Sequence, residues 1–189
     1  LNPEEIIHAY ENGERDLDPL LEKMGWKSWL GVAELGLVLG SDIVEFLEER
    51  LSPAESKVLE LVKQRINGSV SLESIESALE TARNPKTRDL SLEGRLRMER
   101  GLLHFENGSI EEARDDLTWA ETRLKSVAKA SRDHDISLLN KAAFHLSIDE
   151  PMMALHVHGE ISRKAGHANE TIAISRIQAA RIPVSYTHL

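Results

Sequence analysis

The 189-residue sequence contains no cysteine. Disulfides, thiolate nucleophiles and thiolate metal sites are therefore all excluded. Aromatic residues make up only 4% of the chain, and such poverty weighs against sheet. The longest apolar run, Trp29 to Leu39, is interrupted by Glu34 and reaches about half of the roughly 20 residues a spanning helix needs. No membrane association is expected. The start lacks the basic-then-apolar order of a signal peptide, and a cytoplasmic location is expected. Because the chain opens on Leu1 instead of Met, a natural start further upstream is also expected.

Basic excess is missing too. The formal net charge is −9, and its surplus of acid lies within the first 60 residues. Phosphate binding needs a clustered basic surface, so no nucleic-acid partner is expected. The glycines are spaced singly, which leaves no phosphate-binding loop, and neither His-Glu-x-x-His nor a nucleophile beside a base stands out. No enzymatic activity, cofactor or metal is expected. His156 and His158 lie two apart, about 200° around a helix, and cannot chelate one ion unless the helix breaks; one should pack while the other meets solvent.

What is abundant is Leu, Ala, Glu and Arg, the residues of helices. The best organised stretch runs from 92 to 127. Small residues stand at Gly101, Ala113 and Ala120, a turn glycine at Gly108 and a bulky residue at Leu117. Ile110, Ala113, Leu117, Ala120, Leu124 and Val127 form a stripe at steps of three and four. Gly108 is expected to cap the first helix in the left-handed conformation, and Ser109 to cap the second.

This spacing resembles a tetratricopeptide repeat, in which two antiparallel helices cross at small residues. A degenerate copy follows 41 residues later, with Ala142, Asp149 in the place of the turn glycine, Ala154, and His158 in the place of Leu117. Ile75, Leu79 and Ala82 repeat part of the spacing upstream. Gly-Ser recurs at 40–41, 68–69 and 108–109 and suggests one capping device used three times. The expected fold is all-α: a right-handed solenoid of about five antiparallel helical hairpins. Residues 1–53 should form divergent acidic hairpins and 54–183 the tetratricopeptide-like repeats. A last helix is expected from Asn169 to Ile182. The apolar helix from Lys27 to Leu39 should be covered on more than one face. The tail 184–189 resembles translated adapter sequence and is set aside.

The resemblance implies a scaffold that presents a surface to a protein or peptide partner. The alternative is a helical sensor or oligomerisation module of a larger regulatory or transcription protein. Arg97, Arg100 and His104 share one helix face, and the 41-residue shift places Lys141 and His145 at corresponding points. Together they suggest a basic patch that receives an acidic or C-terminal peptide segment. A solvated face supported by Glu93 and Arg97 is the plainer alternative. Trp119 is expected to pack against a neighbouring repeat.

Overall fold

The computed structural model describes residues 2–183, and the 184–189 tail lies outside them. Those residues form eleven α-helices and, among them, no strand. The chain divides into two compact units, Leu1–Arg88 and Asp89–Leu189. The sequence-based boundary after residue 53 falls inside the first. No helix among the described residues is long and apolar enough to cross a membrane.

The first unit contains α1 (Pro3–Glu11), α2 (Asp18–Lys23), α3 (Leu30–Leu39), α4 (Ile43–Glu48), α5 (Pro53–Ile66) and α6 (Leu72–Arg83). Asn2 caps α1 by accepting the Glu5 amide at 3.0 Å. A capping box opens α5: the Ser52 hydroxyl accepts the Glu55 amide at 3.2 Å while the Glu55 carboxylate accepts the Ser52 amide at 2.7 Å, so two otherwise unmet donors are satisfied. Helix α3 crosses α4 so closely that a Cβ on Gly36 would lie 2.8 Å from Ile43 Cγ2. Its burial is incomplete, however. Leu30, Val32, Ala33, Glu34 and Gly36 are covered, but Val38 and Leu39 are exposed, so the expected cover on several faces stops short of the last turn.

The second unit contains α7 (Leu90–Glu106), α8 (Ile110–Val127), α9 (Arg132–Ser147), α10 (Pro151–Glu160) and α11 (Asn169–Ala180). The α7/α8 hairpin follows the expected spacing. A Cβ on Gly94 would lie 2.9 Å from Leu124 Cγ, and one on Gly101 3.0 Å from Leu117 Cγ. One position rises as its partner falls, which is the signature of antiparallel helices. Ala113, Leu117 and Ala120 are buried with Met98 and Phe144. Gly108 turns the chain at φ +78°, where a side chain is disfavoured. Asp149, its counterpart in the next turn, adopts φ +60°, and Ala154 is buried.

The serines behave otherwise. Ser109 makes no side-chain cap, Ser69 donates back to the Gln64 carbonyl, and Ser71 caps α6 instead. The recurrent device is thus the left-handed glycine: Gly40, Gly68 and Gly108 all have positive φ.

Beyond the hairpin, α8 packs on α9, α9 on α10 and α10 on α11, while α7 and α11 each also touch α9. Leu138, Ala142, Val157, Ile161 and Ile172 close the core at this end.

Candidate functional site

Arg97, Arg100 and His104 recur every three or four residues along α7, which brings them to one face. That face meets Asp116 of α8. Arg100 grips the Asp116 carboxylate in a fork, Nε to Oδ2 at 2.6 Å and Nη2 to Oδ1 at 2.8 Å. Arg97 Nη1 reaches Oδ1 at 3.3 Å, and His104 Nε2 stands 3.9 Å from Oδ2. The Arg97 guanidinium also lies 4.3 Å from the centre of the Trp119 ring, which Arg123 approaches at 5.0 Å. Trp119 is therefore a partly buried platform for two arginines.

Asp116 is only 2% exposed. A carboxylate so placed loses its hydration, and the forked, charge-assisted bonds replace it. The patch read from the sequence is real as a grouping. Both arginines already bond the chain's own acid, so an incoming carboxylate has to compete with Asp116.

The other two expected site residues are paired in the same way. Lys141 Nζ donates to Glu121 Oε2 at 3.1 Å. His134, facing Glu121, and then Lys141 hold this carboxyl down at about 2 against the upward push of burial. His145 Nδ1 meets Glu150 at 2.7 Å, and Arg114 donates to both Glu150 oxygens at 3.0 and 2.9 Å. Arg114 and then His145 lower the Glu150 carboxyl to about 2. These three nodes bind α7 to α8, α8 to α9, and α8 to the α9–α10 turn.

A further buried cluster has no signature in the local spacing of the chain. His167, in the loop before α11, shares a 2.6 Å hydrogen bond between its Nδ1 and Asp135 Oδ1. Asp135 Oδ2 accepts from Thr171 Oγ1 at 2.7 Å and from the Ala168 amide at 3.3 Å. His134, beside Asp135 in the first turn of α9, lies 5.4 Å between ring centres from His167, its ring tilted by 40°. Its Nδ1 accepts the Ala130 amide at 3.0 Å, while its Nε2 is buried without a partner. Glu121 Oε1, also buried and unpartnered, faces that nitrogen at 4.0 Å, too far for a formed hydrogen bond.

On α10 His158 is buried and His156 exposed, the opposite orientations that a two-residue step requires. His158 Nδ1 and Ser175 Oγ are 2.9 Å apart, and burial lowers the His158 pKa. A serine beside a neutral imidazole is the start of a nucleophile and base pair. Here both side chains are buried, so no substrate reaches the hydroxyl, and the contact ties α10 to α11.

The surface of α11 is different in kind. Ile174 and Ile177 are 37% and 55% exposed. With Arg181 just past the helix they occupy positions i, i+3 and i+7 of one stripe. Arg163, Lys164 and Arg176 are exposed nearby in the chain, and Glu170 is the one acid between residues 161 and 183.

Comparison with known proteins adds no family: no protein-family model, no curated protein and no solved structure matches this chain.

Proposed function

We propose that this chain is a protein-interaction scaffold, a right-handed tetratricopeptide-like solenoid in its second unit, that docks an acidic amphipathic segment of a partner protein on α11. The carrying observation is the exposed Ile174 and Ile177 stripe, bounded by Arg176 and Arg181. An amphipathic segment covering it buries two branched side chains, each contributing up to about 2 kcal/mol, while acidic neighbours meet arginines that have no carboxylate partner among the described residues. Arg97, Arg100, His104, Lys141 and His145 then serve as the frame that holds the hairpins in register. The succession of packed helices from α7 to α10, with α9 touching both α7 and α11, supports the repeat architecture. Binding without chemistry, in the cytoplasm, completes the proposal.

The test is fluorescence anisotropy with a labelled helical peptide carrying Leu on one face and Glu on the other. Ile177→Asp is expected to weaken binding at least about tenfold, equivalent to about 1.4 kcal/mol. Arg97→Gln should leave it unchanged. Absence of binding, or a loss confined to Arg97→Gln, overturns the proposal. The same stripe also fits a second copy of the chain, as an oligomerisation module requires. Concentration-dependent sedimentation abolished by Ile177→Asp, with no peptide binding, selects that reading.

A further inference from the structure

We infer that His134, Asp135 and His167 form a binding site for a divalent transition-metal ion of the zinc class. One ligand atom from each lies within 4.8 Å of the other two. All three residues are buried, so this is an interior site and not a chance gathering of surface acids. Ligand atoms on a tetrahedral zinc ion, with bonds of about 2.1 Å, stand roughly 3.4 Å apart. Closure therefore asks the side chains to draw together by up to about 1.4 Å.

A second observation points the same way. His134 Nε2 is sealed from solvent with no hydrogen-bond partner, in a side chain only 2% exposed. Leaving such a group unmet costs about 1–3 kcal/mol. Glu121 Oε1, equally unmet, lies 4.0 Å from it and offers a second carboxylate at the edge of the cluster. Two imidazoles and a carboxylate suit zinc, cobalt or nickel, whereas calcium and magnesium demand oxygen ligands throughout. Thr171 Oγ1 and the Ala168 amide hold the far oxygen of Asp135, the kind of outer support that orients a metal-binding carboxylate.

Loading rearranges the hydrogen bonds. A neutral imidazole that ligates through one ring nitrogen carries its proton on the other. Ligation by His167 through Nδ1 therefore replaces its bond to Asp135, and ligation by His134 through Nδ1 replaces its bond from the Ala130 amide.

The experiment uses the full chain with Zn²⁺ and Co²⁺, read by calorimetry and visible absorption. One ion per chain is expected, with cobalt bands of a low-coordinate site. His134→Gln and His167→Gln should each lower affinity at least about a hundredfold, while His156→Gln, on the exposed face of α10, should not. No binding, binding only at millimolar metal, or equal binding in the three variants overturns the inference. Should His167→Gln unfold by circular dichroism, His167→Cys decides: a cobalt–thiolate charge-transfer band supports the site, and its absence in folded protein rejects it.

Discussion

Arg100 holds Asp116 through two parallel hydrogen bonds of 2.6 and 2.8 Å, and this fork decides how α7 lies on α8. It stands beside Gly101, whose missing side chain lets Leu117, the neighbour of Asp116, approach. The polar fork and the close crossing are consecutive residues on each helix, so the pairing of charges and the pairing of backbones fix the same register.

Replacing Asp116 by Ala leaves two guanidinium groups with no central acid. Breaking a buried pair from one side typically costs about 3–5 kcal/mol, and a loss near the lower end is expected by urea denaturation because the arginines keep partial solvent contact. Arg97→Gln should cost less than half as much, since Arg97 makes a single bond of 3.3 Å. Equal costs for the two variants would contradict this account of the node.

Gly101→Val should destabilise by about 1–3 kcal/mol through overpacking. The first added carbon already stands 3.0 Å from Leu117 Cγ and 3.1 Å from Asp116 Cβ, and the branch has no room. Thermal unfolding of the two proteins checks it; an unchanged midpoint would mean that the helices separate at little cost.

Ala130 sits at φ +57°, a left-handed conformation that costs an ordinary residue about 1–2 kcal/mol. Ala130→Gly keeps the amide that His134 accepts and removes most of that strain, against a greater entropy loss on ordering glycine. The expected net gain is a few tenths to about 1 kcal/mol in urea denaturation. A clear loss would show that the Ala130 methyl group is needed where it packs.

Acid should weaken the fold in two steps. His158 has its folded pKa lowered below the ordinary 6.5 by burial. As pH falls through 6.5 the unfolded chain takes up a proton first, so stability begins to decline there and levels off below the folded value. Glu121 and Glu150 are held at about 2 against an ordinary 4.5. Their contribution is full above about 5, declines between 4.5 and 2, and is gone below. Urea midpoints against pH should show both limbs. His158→Leu should flatten the upper limb and Glu121→Gln should reduce the lower one; unchanged slopes would contradict the assignments.

What was legible in the sequence was what a single helix or turn demands of itself. Gly101, Ala113, Leu117 and Ala120 announce a close crossing because only small and large residues at those steps make one, and Gly108 announces a turn because its φ is positive. The meeting of Arg100 with Asp116 depends on how two helices rotate against each other, so the arginines read as an open patch although they are paired. The gathering of His134, Asp135 and His167 joins the first turn of α9 to a distant loop, with no local spacing to reveal it. Ser109 shows the limit of composition: it stands where a cap belongs, but its side chain does not reach the helix amides.

The central claim, that a partner docks on α11, is tested most directly by amide chemical-shift mapping during titration with the Leu/Glu peptide. The account predicts shifts concentrated at Ile174, Ile177 and Arg181, saturating together and absent in Ile177→Asp. Shifts concentrated at Arg97, Arg100 and Trp119, with α11 silent, would contradict it and return the binding surface to the Asp116 node.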